Sequence, residues 1–143
     1  RHRASGNIGK GLIHGFGLKS GAIATAIAHD SHNIIVVGVD DADIIKAVTS
    51  INKMGGGIAV VKDETVVDAL DLPIAGLMSD KPLEYVSSRM NELLDAAQTL
   101  GVTLEDPIMT LSFMALPVIP KLKLTDGGLV DVDKFEHVPL FVD

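Results

Sequence analysis

The sequence predicts one α/β domain, with a mixed β-sheet that contains β-hairpins and is covered by two main helices at about 41–54 and 81–100. The first supporting observation is compositional. Hydrophobic residues make up 47% of the 143 residues and aromatic residues only 3%, so the core must be aliphatic, which suits packed layers of strands and helices. The second is periodicity, because runs that alternate every two residues are followed by stripes with helical spacing.

Composition and charge exclude several classes of partner. Lys and Arg number 12 against 19 Asp and Glu, whereas binding to nucleic acid usually needs a basic face. The longest apolar runs, such as 34–37, are far shorter than a membrane span. Because the chain has no Cys, it can form neither disulfides nor a thiolate metal site. We therefore expect no nucleic-acid partner, no membrane partner and a cytoplasmic protein.

The first two strands are predicted between residues 21 and 39. From Gly21 small and larger side chains alternate, which indicates a strand whose small face is closely covered by a helix or another sheet. The residues of that face are Ala22, Ala24, Ala26 and Ala28. The β-branched run 34–39 is typical of a strand buried on both faces. For residues 11–16 we expect only a short strand or an extended arm.

The ends of the two main helices follow from local signals. Asp40 or Asp41 can cap the first helix, and the glycine at 55 is a natural stop. Ser79 and Asp80 are the candidate caps of the second helix, which ends near Gly101.

The remaining segments read as hairpins and a short helix. Runs at 58–61 and 65–67 predict one hairpin, and runs at 121–124 and 129–132 around an Asp-Gly turn predict another. Asp106 can cap a short helix over 107–114, and a last strand is expected over 138–142. We interpret the charged residues at 62–64 and 68–71 as solvated.

One segment concentrates side chains that can carry chemistry. It lies between the first two strands and consists of His29, Asp30, Ser31, His32 and Asn33. Two imidazoles and a carboxylate could ligate a metal, shuttle a proton or hydrogen-bond a heterocycle. The alternative is a polar turn that bonds to its own backbone. A complete metal site is not predicted, because catalytic zinc usually takes three protein ligands and His2, His14 and His137 are distant in sequence.

Two other motifs have simpler explanations. The glycines at 55–57 follow a helix, whereas phosphate-binding loops run from a strand into a helix, so helix termination is the favoured interpretation. No Gly-x-Ser-x-Gly nucleophile motif is present.

Several segments, in one order along the chain, resemble the C-terminal domain of adenine deaminases. The most distinctive are AHDSHNIIVVG at 28–38 and LPIAGLMSD at 72–80. The others lie at 6–9, 15–19, 104–107, 110–113, 116–120 and 138–143. Because the similarity extends over nearly the whole chain, we interpret residues 1–143 as this domain. The chain opens on Arg1 instead of Met, and we expect it to be a fragment of a longer protein.

The resemblance implies hydrolysis of adenine to hypoxanthine and ammonia, a reaction of purine salvage, by a metal-dependent amidohydrolase. In that family a divalent cation, manganese or iron, sits in a (β/α)8 barrel and lowers the pKa of a bound water that attacks C6 of the purine. This chain contains neither the barrel nor its paired-histidine motif. We therefore expect no metal to be bound by the fragment itself.

Three hypotheses for function remain. The first is a C-terminal domain of an adenine deaminase that contributes active-site closure, substrate contacts or oligomer contacts. Its partners would be the enzyme's own N-terminal barrel domain, adenine and, in a homo-oligomer, further copies, with residues 29–33 binding or enclosing the purine. The alternative is a non-catalytic small-molecule binding or regulatory domain. The third is a self-sufficient hydrolase that uses His29 and His32.

The isolated chain is predicted not to deaminate adenine, with or without added manganese. The reaction needs an activated water and electrostatic stabilisation, and an incomplete ligand set should not hold the metal. Ammonia release is the measurement, on protein from a host that lacks its own adenine deaminase. Metal-dependent turnover would favour the third hypothesis instead.

Overall fold

The computed structural model describes residues 6–142 and confirms the α/β class. Its larger sheet has the strand order β2-β1-β3-β4, with every neighbouring pair antiparallel. These strands are β1 (Ala22–Thr25), β2 (Ile35–Gly38), β3 (Gly57–Lys62) and β4 (Thr65–Asp71). Because β2 and β3 both lie antiparallel to β1, they run parallel to each other on its two sides.

Three helices and a smaller sheet complete the described structure. The helices are α1 (Asp41–Met54), α2 (Leu83–Thr99) and α3 (Pro107–Met114). The second sheet is antiparallel and contains β5 (Leu122–Thr125), β6 (Gly128–Asp131) and β7 (Glu136–Val138). The strands therefore form two antiparallel sheets instead of one mixed sheet. Two-residue turns join β3 to β4 and β5 to β6, and such turns can join only antiparallel neighbours.

The small face of β1 is closely covered by α1, as the alternation predicted. Ala22, Ala24 and Ala59 of the sheet are fully buried in one cluster with Ala47 and Ile51 of the helix. A Cβ added at Gly38 would lie 2.4 Å from Cγ1 of Ile44 and 2.9 Å from Cβ of Ala22. The short distance between helix and sheet therefore requires small residues on this face.

The opposite face of the sheet carries the larger side chains and lies under α2 and α3. Its residues form one buried cluster with side chains of those two helices. The sheet members are Ile23, Ile58, Val60 and Leu70, and the helix members include Leu93, Ala97, Ile108 and Leu111. Burial of each large aliphatic side chain contributes about 1.5–3 kcal/mol, so most of the hydrophobic stabilisation is on this side.

The predicted ends of α1 and α3 are confirmed. The carboxylate of Asp40 accepts a hydrogen bond from the Asp43 N–H at 2.9 Å, and Gly55 ends α1 with a φ of 79°. Asp106 caps α3 through the Met109 N–H, also at 2.9 Å.

The predicted cap of α2 is wrong. Neither Ser79 nor Asp80 caps this helix, which begins after Pro82 without a side-chain cap. The Ser79 hydroxyl instead accepts the Lys81 N–H at 3.1 Å in a separate turn. Proline disfavours helical backbone in the residue before it, so the helix starts later than the polar residues suggest.

Two predicted strands differ from the structure. β2 is an edge strand with partly exposed side chains, not a strand buried on both faces. The last strand is Glu136–Val138 instead of 138–142, because Pro139 has no N–H to donate to a sheet. Residues 11–16 form no strand. They belong to an arm, residues 6–20, which is anchored by the buried Phe16.

The prediction that the charges at 68–71 are all solvated is wrong for Asp68. Its carboxylate is paired with the Arg89 guanidinium, which also binds Glu92 and donates to the Ala69 carbonyl at 2.9 Å. Burial alone would lower the pKa of Arg89, but the hydrogen bonds and charges of Asp68 and Glu92 outweigh it and raise that pKa above its usual value. This cluster attaches α2 to β4.

The buried Asp43 links the start of α1 to the β3–β4 hairpin. Its carboxylate accepts the N–H groups of Asp63 at 3.2 Å and Glu64 at 2.6 Å. Both turn residues have positive φ, 50° and 57°, a conformation that residues other than glycine seldom adopt. Asp43 therefore stabilises a turn whose backbone conformation is not favoured by the two residues that form it, Asp63 and Glu64.

Asp43→Ala should lower the free energy of unfolding by about 1–3 kcal/mol, because two N–H groups of the turn lose their acceptor. Urea denaturation of the purified chain is the measurement. Asp41→Ala is the matched control, because Asp41 is also in the first turn of α1 but is exposed. An equal effect of the two substitutions would show that the contact to the turn adds no stability.

Candidate functional site

The polar turn, residues 29–33, connects β1 to β2 at one end of the larger sheet. β1 ends at Thr25, whose hydroxyl oxygen accepts the Ile27 N–H at 3.0 Å, so the predicted alternation does not continue through His29. In consequence Ala28 does not lie under α1 with the other alanines but packs in the core on the α2 and α3 side.

His29 is half-buried and packs against α3. Its ring centroid lies 5.5 Å from that of Phe113 and 5.7 Å from that of His32, which it meets edge-on. Since α3 covers the face that carries Ile23, His29 lies on the α3 side of the sheet. Its ring is fixed by aromatic neighbours.

His32 is held by two hydrogen bonds to Ala28. The His32 N–H donates to the Ala28 carbonyl at 2.6 Å, and Nδ1 of the ring accepts the Ala28 N–H at 3.3 Å. These bonds hold His32 at a φ of 50°. Because Nδ1 accepts the Ala28 N–H, the ring N–H that remains to donate is the one at Nε2. Nε2 has no hydrogen-bond partner among residues 6–142 and is therefore a donor for an outside group.

The other three side chains of the turn differ in their environment. Asp30 and Ser31 are exposed, and neither side chain has a hydrogen-bond partner within the described residues. Asn33, in contrast, is partly buried, and it is not free, because it already takes part in an interaction. Asp30, Ser31 and the Nε2 of His32 thus supply the free hydrogen-bonding groups of the turn.

Ser31, His32 and Asn33 form one end of a cleft of about 640 Å³, within the usual size range of small-molecule sites. Its other walls come from four separate segments of the chain. They are the arm at 6–9, the residues 34–36, the outer side of α1 with Ile45, Val48, Thr49 and Asn52, and the hairpin tip with Leu124, Thr125 and Asp126. The cleft is therefore mostly apolar, and its polar side chains come from the turn, from α1 and from the hairpin tip.

Three of these walls have no direct signal in the sequence, although glycines mark one of them. A Cβ added at Gly9 would lie 1.9 Å from the Thr125 carbonyl oxygen, so the arm lies directly on the β5–β6 hairpin. Sequence reasoning recognised an arm but not its contact, because the two segments are at opposite ends of the chain.

The described residues do not fit the metal that the resemblance implies. Within residues 6–142 no three or more His, Cys, Asp or Glu side chains converge in a way that could hold a metal ion. His29 and His32 lie together, but Nδ1 of His32 is occupied by the Ala28 N–H. His2 lies outside the described residues. In the same part of the chain, no helix is long and apolar enough to span a membrane.

A second cavity, of about 450 Å³, lies on the other side of the sheet between α2 and α3. Its lining is almost wholly apolar and includes Met78, Leu83 and Met90. Ser112 is also part of this lining, and its buried hydroxyl has no hydrogen-bond partner within the described residues. This cavity therefore offers few polar groups to a ligand.

Comparison with known proteins identifies the family. The family model described as the adenine deaminase C-terminal domain matches residues 1–136. The chain belongs to this family. It is similar to the adenine deaminase of Desulfatibacillum aliphaticivorans, 56% identical over 141 residues, and to that of Methanothrix thermoacetophila, 56% identical over 143 residues.

These relatives are much longer than this chain. The two alignments cover 99% and 100% of the chain but only 25% of each relative. Adenine deaminase 2 of Carboxydothermus hydrogenoformans, 55% identical over 141 residues, is likewise covered over 25% of its length and covers 98% of the chain. The chain thus spans about a quarter of the relatives it matches and corresponds to the C-terminal part of a larger enzyme.

Gly9→Ala should displace the arm from the hairpin, because the new Cβ would collide with the backbone oxygen of Thr125. The displaced arm should be cut faster by trypsin after Lys10, as mass spectrometry of timed digests would measure. Gly11→Ala is the matched control, since its Cβ would meet only flexible side chains, those of Leu129 at 3.2 Å and Leu124 at 3.7 Å, and no backbone atom among its nearest neighbours. Equal cleavage rates in the two variants would contradict the proposed placement of the arm.

Proposed function

We propose that this chain acts as the C-terminal domain of an adenine deaminase and that residues 29–33 help to bind or enclose adenine in the whole enzyme. The observation that carries the proposal is the cleft of about 640 Å³ with the polar turn at its end. Family membership and the names of the relatives support adenine as the substrate.

The chemistry of the cleft suits a purine base. Adenine presents an amino group as donor and ring nitrogens as acceptors around a flat apolar ring. His32 and Ser31 line the cleft, where the Nε2–H of His32 can donate to a ring nitrogen and the Ser31 hydroxyl can donate or accept. Asp30 precedes them in the turn outside the cleft lining, and its exposed carboxylate can accept from a group that approaches the turn. Ile34 and Ala115 of the cleft wall supply apolar surface for the ring face.

The described residues lack a set of metal ligands, and this suggests which part of the whole enzyme performs which role. They provide no ligand set for manganese or iron, so the metal implied by the resemblance would be held by the N-terminal barrel domain. The roles that remain for this chain are closure of the active site, contacts to the substrate and contacts between the copies of an oligomer. A homo-oligomeric enzyme of cytoplasmic purine salvage is part of the same proposal and follows from the resemblance alone.

The arrangement gives less support to the other two hypotheses. A hydrolase that relies on His29 and His32 would need a free His29, whose ring instead packs between Phe113 and His32. A regulatory domain could use the same cleft to bind a ligand without chemistry. Kinetics of the full-length enzyme distinguishes this alternative, because a regulatory site would not lower turnover of adenine in the absence of effector.

In the full-length enzyme, His32→Asn should lower kcat/KM for adenine by at least about tenfold, which corresponds to about 1.4 kcal/mol of transition-state stabilisation. Asparagine can still accept the Ala28 N–H and tolerates the positive φ, but it lacks a donor at the position of Nε2. His29→Ala should have an effect of the same size, because it removes the ring that supports His32. Steady-state kinetics and the melting temperature, which should change little for His32→Asn, are the measurements.

The exposed His14 of the arm provides the matched control, because His14→Ala removes an imidazole that is not part of the turn. Normal kinetics in His32→Asn, together with a large loss of stability, would show that the turn is structural. The alternative hypothesis of a binding or regulatory domain would then be favoured.

A further inference from the structure

The outer edge of β2 is open. β2 pairs with β1 on one side only, and within residues 6–142 no strand pairs with its other side. The residues at 34–39 contain no charge, no proline and no bulge, which are the devices that normally protect an edge strand from pairing. An unprotected edge of this kind in a native protein is expected to be covered by another segment.

The hydrogen-bond pattern identifies which backbone groups are at that edge. The Val39 N–H donates to the Gly21 carbonyl at 3.1 Å, so Val39 faces β1. In an antiparallel pair such residues alternate, and the register Ile23↔Val37 and Ala24↔Val36 continues the pattern. Val37 therefore also faces β1, whereas Val36 and Gly38 direct their N–H and C=O groups to the open side.

The surroundings of this edge are apolar and form part of the cleft. Ile34, Val36, Ile45 and Val48 line it, and the side chain of Ile45 is 64% exposed. The arm at 6–9 lines the same cleft. The exposed side chain of Ile45 therefore leaves apolar surface beside the open edge for a further segment to cover.

We propose that an extended segment of the enzyme's own N-terminal part adds to the sheet here as a fifth strand. It pairs with Val36 and Gly38 and packs apolar side chains on Ile45. The inference rests on the proposed function, in which this chain is joined to the rest of an adenine deaminase. Its support is the open edge of β2 beside the exposed Ile45, together with the finding that the chain covers only 25% of relatives such as the Desulfatibacillum enzyme.

The test is amide hydrogen exchange of the full-length enzyme at single-residue resolution. The amides of Val36 and Gly38 should exchange at least about tenfold more slowly than unpaired amides, because each donates to the added strand. Val37 and Val39 are internal controls, since their pairing with β1 protects them in any case. Fast exchange of Val36 and Gly38 beside protected controls would overturn the proposal.

A dilution series separates the enzyme's own N-terminal part from a second copy. Protection that persists at concentrations where the enzyme is monomeric supports a segment of the same chain. Protection that is lost on dilution identifies a second copy as the occupant and overturns the proposal.

A pair of variants tests the packing on α1. Ile45→Glu should reduce the protection of Val36 and Gly38 by at least about tenfold, because a carboxylate would be buried under the added strand. Leu83→Glu is the matched control, since Leu83 is 79% exposed and lines the other cavity. Unchanged protection in Ile45→Glu would contradict the proposal. Kinetics of His32→Asn test the proposed function separately. The added strand and the proposed function can therefore fail independently of each other.

Discussion

The close approach of α1 to the sheet is the constraint on which the rest of the described structure depends. Ala22, Ala24 and Ala59 let the helix lie directly on the strands, and Gly38 leaves room for Ile44. A larger side chain at any of these positions would push the helix outward. Because the outer side of α1 forms a wall of the cleft, the same small residues also set the position of that wall relative to the polar turn.

The turn gains its geometry from the segments around it. Phe113 of α3 fixes the ring of His29, and the backbone of Ala28 fixes the ring of His32. Ala28 is itself buried in the core beneath α3. The hydrogen-bonding groups of the turn are therefore placed by the packing of a helix that lies far away in sequence, which explains how a loop can present a defined donor.

Local signals allowed much of the fold to be predicted from the sequence. Asp40 and Gly55 bound α1 because a capping carboxylate and a left-handed glycine act within one turn of helix. The start of α2 was missed because Pro82 prevailed over the polar residues before it. The open edge of β2 could not be foreseen, since an apolar run of six residues looks the same in a central strand and an edge strand. The cleft was missed for a related reason, because its walls come from the arm, α1 and the last hairpin, which only the tertiary fold brings together.

The contact between Gly9 and Thr125 joins the two ends of the chain. When the polypeptide is made from its N-terminus, the arm therefore emerges long before the hairpin on which it rests. The sheet, α1 and α2 can assemble in the meantime, but the wall of the cleft that the arm provides cannot. The wall of the cleft that the arm provides is thus completed only after the β5–β6 hairpin has been made.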